Sequence, residues 1–139
     1  MGWSTAYRAW SFPMSDPAQH VVGIRLRRPD GTKLSVPGGK EGLFIPVGQP
    51  TGPAGARLLI CEGVTDTAAL LDLGFPAVVG RPSCSGGVAL IVALVQERRP
   101  AEVVLMADAD EPGVRGANNL ASVLVAYGPA VRVVVVQLT

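Results

Sequence analysis

Cysteine and histidine are scarce in this chain, and each scarcity removes a class of site. The two cysteines, Cys61 and Cys84, are far apart and form no Cys-x-x-Cys pair, so no zinc site can be read from the sequence. The one histidine, His20, lies outside the strand and helix pattern, and no Gly-x-Ser-x-Gly motif is present. A nucleophilic triad is therefore not supported. Cys61 falls in an apolar run, where we expect a buried, reduced thiol.

Charge imbalance and long apolar runs are also missing. A formal net charge of +1 means that any basic surface for nucleic acid must be local. We find no signal peptide and no apolar run long enough to span a bilayer. Ala6 stands where an N-myristoylation motif requires Ser or Thr. We therefore expect a cytoplasmic protein that does not bind membranes.

The composition that remains is aliphatic. Of the 139 residues, 48% are hydrophobic but only 5% aromatic, which is typical of a parallel sheet of Val, Leu and Ile under Ala-rich helices. From residue 56 the patterns run β-α-β-α-β-α-β, with strands at 57–61, 76–79, 103–107 and 131–138, and helices at 65–73, 88–97 and 112–127. Right-handed crossovers then predict a Rossmann-like α/β fold, a four-stranded parallel sheet with helices on both faces.

A small antiparallel β unit is predicted ahead of this sheet. Residues 21–28 alternate between apolar and polar side chains, Asp30-Gly31 favours a hairpin turn, and 33–36 returns as the partner strand. Residues 42–47 read as a third strand. The polar face of the unit carries four basic residues, Arg25, Arg27, Lys33 and Lys40. This face is either a solvated surface or a platform for phosphates, and we favour the platform.

The first 19 residues show no regular pattern. Four aromatic residues fall in this segment: Trp3, Tyr7, Trp10 and Phe12. The segment is interpreted either as a partly ordered tail or as a binding arm. We therefore divide the chain into a tail or arm at 1–20, an antiparallel subdomain with a Gly- and Pro-rich linker at 21–55, and an α/β domain at 56–139.

Two of the predicted parallel strands end in acidic residues. The first runs into Glu62-Gly63, and a later one runs into Asp108-Ala109-Asp110. The carboxyl ends of parallel strands meet at the edge where α/β sheets bind ligands. If the two strands are neighbours, the three carboxylates converge and repel one another unless a cation lies between them. The pattern predicts a site for Mg²⁺ (or Mn²⁺), a hard ion that binds carboxylate oxygens and keeps waters for substrate phosphates to replace.

This ordered pair of motifs resembles the Toprim domain, which is shared by bacterial-type primases, type IA and type II topoisomerases, old-family nucleases and RecR-type recombination proteins. In that family a strand ends in Glu-Gly and a later one in Asp-x-Asp, with a glycine shortly after, here Gly113. The Glu-Gly-x-x-Asp form, from Glu62 to Asp66, is most similar to primases and related small nucleases. The resemblance covers residues 56–138. Residues 23–46 are similar to the segment just upstream of Toprim in bacterial and phage primases, where it supplies basic residues to template and nucleotide.

The resemblance implies Mg²⁺-dependent nucleotidyl transfer in RNA primer synthesis, as part of a primase or primase-helicase. Glu62, Asp108 and Asp110 would be the catalytic and metal-binding residues, with Glu62 acting as a general base or only as a ligand. Asp66 is either an accessory metal residue or an acid that favours a helix start. The alternatives are a Toprim nuclease with water as the nucleophile, and a module that binds nucleic acid or a partner protein without turnover.

The partners implied by the resemblance are a single-stranded DNA template, nucleoside triphosphates, and a helicase in the same or another chain. Arg81 and Arg115 follow the predicted strand ends closely enough to contact phosphates. Gly63, Gly80 and Gly113 would allow close backbone approach at the same edge.

In primase-like Toprim domains a loop with a further Asp follows the last strand, and Thr139 precedes any such loop. We therefore expect this chain to be a piece of a longer protein, and to be weak or inactive alone.

Overall fold

The computed structural model describes residues 1–48, 56–127 and 132–137. In these residues the chain forms eight strands and three helices, and the strands make two four-stranded sheets. Most of the predicted linker, the predicted helix stop at Gly128-Pro129, and both ends of the last predicted strand lie outside the described residues. The division of the chain at residues 20 and 55 stays a prediction.

The first sheet is antiparallel and has the order β1-β2-β3-β4. Its strands are β1 (Gly2–Ser4), β2 (Ala9–Ser15), β3 (Val21–Arg27) and β4 (Lys33–Ser35). The predicted hairpin between β3 and β4 is confirmed. Its turn is closed by the Arg28 N–H, which donates to the Thr32 carbonyl at 3.0 Å, and Gly31 takes a φ of +87°.

The interpretation of residues 1–19 as irregular was wrong, because β1 and β2 are regular strands of this sheet. The turn that joins them, Thr5-Ala6-Tyr7-Arg8, contains none of the glycine or asparagine residues that usually mark a hairpin. Arg8 itself takes the left-handed conformation, with a φ of +50°. The sequence therefore carried no turn signal that would have divided this segment into two strands.

The third strand predicted at 42–47 is also wrong, and what replaces it joins the two sheets. Only two isolated bridges form there, Ser15 with Leu43 and Phe44 with Gly80. Ser15 and Leu43 exchange backbone hydrogen bonds of 2.7 and 2.8 Å, and Phe44 and Gly80 exchange bonds of 2.9 and 3.0 Å. Because Leu43 and Phe44 are consecutive, the chain bonds to the first sheet on one side and to the second sheet on the other.

The second sheet is parallel, has the order β6-β5-β7-β8, and confirms the predicted α/β class. Its elements alternate as strand and helix: β5 (Arg57–Glu62), α1 (Gly63–Asp72), β6 (Val78–Arg81), α2 (Val88–Arg98), β7 (Glu102–Ala107), α3 (Glu111–Tyr127) and β8 (Arg132–Gln137). Described ends of these elements differ from the predicted ones by two residues at most. No helix in the described ranges is long and apolar enough to cross a membrane.

Helices cover both faces of the parallel sheet, as predicted. Leu58 and Ile60 of β5 belong to the buried cluster formed with α2 and α3, whereas Leu59 and Cys61 belong to the cluster with α1. This alternation follows from the two-residue period of a strand. Each fully buried aliphatic side chain stabilises the fold by about 1.5–3 kcal/mol. The core therefore fixes β5 and β7 in place and leaves their carboxyl ends at the surface.

Candidate active site

The two acidic strand ends lie side by side. Strands β5 and β7 are parallel neighbours, with Ile60 opposite Leu105. This register places Glu62, at the end of β5, level with the last residue of β7, and Asp108 follows directly. The condition for the predicted convergence of these two carboxylates is therefore met.

A cleft of about 230 Å³ lies between this edge and the antiparallel sheet. Seven of the residues predicted for the site line it: Arg25, Arg27, Lys33, Glu62, Gly63, Asp66 and Asp108. The basic residues come from β3 and β4, and the acidic ones come from β5, α1 and the end of β7. The folded chain thus sets a basic wall beside an acidic wall, an arrangement that suits a ligand carrying phosphates and a divalent cation.

The carboxylates of the acidic wall repel one another. Burial, and then the negative charges of Asp108 and Asp110, raise the pKa of Glu62 above its ordinary value. Burial, and then Asp108, likewise raise the pKa of Asp66. The positive charge of Lys33 opposes both shifts. These carboxylates therefore lie close enough to repel one another, and the basic wall only partly offsets their charge.

Asp110 is placed differently from the expectation. Its Oδ1 accepts a hydrogen bond of 2.7 Å from the Gly113 N–H, so it caps the start of α3. It lines a neighbouring groove, not the cleft. Within the described ranges, no three acidic, histidine or cysteine side chains stand where they could jointly hold a metal ion. The predicted convergence is thus partial, because helix capping holds the third carboxylate to one side.

The glycines predicted for close approach serve packing around the acidic edge. A Cβ on Gly113 would lie 2.9 Å from the Asp108 Cβ, so α3 begins against the end of β7. A Cβ on Gly80 would lie 2.2 Å from the Thr67 Oγ1 and 2.7 Å from the Gly63 carbonyl oxygen. Gly63 takes a φ of +78°, which permits the sharp change from β5 to α1.

Arg81 does not lie open to a phosphate, contrary to the expectation for it. Its side chain is buried, and burial lowers its pKa. The Nε donates to the Gly86 carbonyl at 3.0 Å, and Nη1 donates to the Gly116 carbonyl at 3.5 Å. Arg81 therefore ties the loop after β6 to the first turns of α3.

Two further basic residues lie outside the cleft. Arg115 pairs with Glu111 on α3 at 2.9 Å and lines the groove that contains Asp110. Lys40 is exposed, and its backbone N–H donates to the Val22 carbonyl at 2.8 Å. Neither residue lines the cleft.

Five lining residues were not identified from the sequence as part of the site: Phe12, Phe44, Val64, Thr65 and Pro82. Phe12 belongs to the segment interpreted as irregular, although its alternation with Trp10 was a usable strand signal. Phe44 reaches the cleft through its bridge to Gly80, a long-range pairing that no local pattern reveals. The cleft is therefore partly apolar, with two aromatic rings beside its charged residues.

Cys61, next to the acidic edge, has the predicted character. It is buried beneath α1, and burial raises its pKa to about 11. Its Sγ lies 3.4 Å from the Thr67 Oγ1. The thiol is therefore neutral near pH 7.

The fold is similar to that of solved primase structures. The DnaG primase catalytic domain bound to ssDNA matches with a TM-score of 0.73 at 22% identity, over 95% of this chain and 45% of that chain. The primase fragment of the bacteriophage T7 primase-helicase matches with a TM-score of 0.67 at 23% identity, over 92% and 53%. The Aquifex aeolicus primase matches with a TM-score of 0.74 at 21% identity, over 94% and 34%.

This chain has the fold of a primase catalytic core. It spans about half or less of the length of these primases. The resemblance to the Toprim domain of primases is thereby confirmed at the level of the fold. No protein-family model matches the chain, and no curated protein matches it in sequence.

Proposed function

We propose that this chain is the catalytic fragment of a DNA primase or primase-helicase, and that it transfers nucleotides in RNA primer synthesis. The cleft between the two sheets supports the proposal most directly. It brings the carboxylates of Glu62 and Asp108 to the same cavity as Arg25, Arg27 and Lys33. Joining two nucleotides requires a site that binds polyphosphate and tolerates the charge that develops on it, and both requirements suit this set of residues.

The residues of the cleft fit Mg²⁺ or Mn²⁺ held by one or two carboxylates. Carboxylate oxygens are hard ligands, and Mg²⁺ commonly takes only one or two of them together with waters and substrate phosphates. The raised pKa values of Glu62 and Asp66 indicate uncompensated negative charge at this place. Glu62 and Asp108 would hold the ion, with Asp66 as an accessory group and Asp110 contributing from the adjacent helix start. When bound, the ion would stabilise negative charge on the reacting phosphate.

The side chains of the cleft have separate roles in the proposed reaction. Arg25, Arg27 and Lys33 bind phosphates of the nucleoside triphosphate and the single-stranded template and orient them toward the acidic edge. The 3′ oxygen of the growing strand attacks the α-phosphorus, and the bond from that phosphorus to the leaving pyrophosphate breaks. The proton of the attacking hydroxyl goes to the Glu62 carboxylate or to solvent. A raised pKa makes Glu62 a stronger base than an exposed carboxylate.

The test is template-directed dinucleotide synthesis by the full-length protein that contains this chain. We expect Glu62→Gln to lower the rate by about 100-fold or more if Glu62 is the general base. Arg27→Ala should lower it by about tenfold or more, the value of a lost charge-assisted hydrogen bond. Asp72→Asn and Arg57→Ala, exposed changes at the opposite edge of the sheet, are the matched controls and should retain activity.

Two outcomes would contradict the proposal. Release of nucleotides from a labelled strand without triphosphate incorporation would identify a nuclease. Strand binding without either reaction would identify a non-catalytic module.

Metal binding is tested separately on this chain by titration with Mn²⁺ and observation of backbone amide signals. We expect weak binding that broadens Gly63 and residues 108–113 first, because the ligand set is incomplete. Broadening confined to other residues would contradict the site. Asp72→Asn should leave the broadening unchanged, whereas Asp108→Asn should weaken it.

A further inference from the structure

Two tryptophans are exposed side by side on the antiparallel sheet. Trp3 of β1 lies opposite Trp10 of β2. Their rings meet edge to face, with centroids 5.3 Å apart and planes at 75°. Trp3 is 48% exposed and Trp10 is 45% exposed. In an edge-to-face pair the ring that offers its edge keeps both of its own faces free of the other ring, so this pair retains flat aromatic surface open to solvent.

The tryptophans continue the basic wall of the cleft. In an antiparallel sheet, residues directly opposite each other point to the same face. Trp3 pairs with Trp10, Trp10 with Arg27, and Arg27 with Lys33, so one row crosses all four strands. Its second half, Arg27 and Lys33, lines the cleft. The aromatic pair is therefore the outward extension of a row whose inner end faces the acidic edge.

A groove of about 540 Å³ lies next to this pair, at the end of the sheet where both hairpins turn. It is lined by Trp3, Ala6, Tyr7, Arg8, Arg28, Pro29 and Asp30. The Asp30 carboxylate already accepts the Thr32 N–H at 2.9 Å, whereas Arg8 and Arg28 are exposed. Aromatic and cationic side chains thus occur together both in this groove and along the row.

This combination fits a single-stranded polynucleotide. Aromatic rings stack on unpaired bases of any sequence, while neighbouring cations follow the phosphates. A duplex presents no free base faces to such rings. An apolar partner protein would cover Arg8 and Arg27 without supplying counter-charges, which disfavours that occupant.

We propose that the Trp3–Trp10 pair is a base-stacking surface for the single-stranded DNA template, and that it holds the strand on its way to the cleft. The identification of the strand as template rests on the proposed primase function. The stacking surface itself does not require catalysis, and its test uses binding alone.

The chain's only two tryptophans are Trp3 and Trp10, so intrinsic tryptophan fluorescence reports on this surface directly. We expect a single-stranded 12-mer of DNA, about 12 nucleotides being within the range one such surface covers, to quench it saturably. An abasic DNA strand of equal length and charge should bind more weakly and quench little.

Variants separate stacking from phosphate binding. Trp10→Ala should weaken DNA binding about fivefold or more, with an unchanged slope of log K against log salt. Arg27→Ala should reduce that slope. Trp10→Phe, which keeps an aromatic ring and the fold, should recover most of the affinity; if it binds as weakly as Trp10→Ala, stacking is not the cause.

Several results would overturn the proposal. Equal binding of normal and abasic strands, or binding that depends on Arg27 without quenching, would remove the stacking surface and leave the proposed catalytic function standing. Tighter binding of RNA than of DNA of the same sequence would refute the template assignment. A blue shift that grows with protein concentration in the absence of DNA would show that a second copy of the chain covers this face. Absence of primer synthesis by the full-length protein, with normal quenching, would instead refute the proposed function and the template assignment that rests on it, and leave the stacking surface standing.

Discussion

At the scale of the residue, Asp110 has two possible roles, helix capping and metal binding, which one substitution separates. As a helix cap it needs only an oxygen acceptor, and Asn caps about as well as Asp. Asp110→Asn should therefore leave the free energy of unfolding in chelator within about 0.5 kcal/mol of the parent, yet abolish activity of the full-length protein if the carboxylate is a metal ligand. Denaturant melts and the dinucleotide assay measure the two effects. Asp110→Ala, which also removes the cap, should cost about 1 kcal/mol.

Retention of activity in Asp110→Asn would show that helix capping is the only role of this side chain. It would also explain why the carboxylate lies outside the cleft.

Substitution of Asp108 tests the repulsion among the carboxylates of the acidic wall. Its charge raises the pKa values of Glu62 and Asp66, so removing it relieves repulsion. Asp108→Asn should keep or raise stability in chelator, by up to about 1 kcal/mol because these groups are partly solvated. Added Mg²⁺ should stabilise the parent more than the variant. Asp72→Asn, which removes a carboxylate at the opposite edge of the sheet, is the control for the loss of one negative charge.

A melting temperature of Asp108→Asn well below that of the parent in chelator would mean that Asp108 stabilises the fold through an attractive contact. Its assignment to catalysis would then lose its main physical support.

At the scale of the element, Gly80 shows how closely the acidic edge is packed. A methyl group there would collide with Thr67 and would approach Phe44 to 3.1 Å. Gly80→Ala should destabilise the protein by about 1–3 kcal/mol, the usual cost of overpacking a filled site. Gly2→Ala is the matched control, since its Cβ would meet nothing closer than 3.8 Å. Equal melting temperatures for the two variants would contradict the packing described here.

The elements that sequence reasoning recovered share a local signal. Strands β5, β6 and β7 are apolar runs that lead into glycine or an acidic residue, and the alternation of strands with helices predicted the parallel sheet. Strands β1 and β2 were missed because Arg8 makes a left-handed turn without glycine. Residues 42–47 were misread because their pairing partners, Ser15 and Gly80, are distant in sequence. The same distance hid Phe44 from the site, whereas Glu62 and Asp108 were found because they directly follow strands.

At the scale of the whole molecule, the chain contains both walls of the cleft but corresponds to about half or less of the primases it resembles in fold. We expect the isolated chain to be folded and nearly inactive in templated dinucleotide synthesis. The physical reason is that the acidic side chains of the described residues do not form a complete metal-ligand set. Circular dichroism establishes folding, and the same assay run beside the full-length protein measures activity. Robust synthesis by the chain alone would show that the carboxylates of the cleft suffice.

The backbone hydrogen bonds of Leu43 and Phe44 affect how the two sheets can separate. These two adjacent residues make four backbone hydrogen bonds, two to Ser15 of one sheet and two to Gly80 of the other. Neither sheet can move away from the other at this point without breaking two of these bonds, so the bonds oppose separation of the sheets. Amide hydrogens of Ser15, Leu43, Phe44 and Gly80 should consequently exchange with solvent as a single cooperative group, at one common opening free energy.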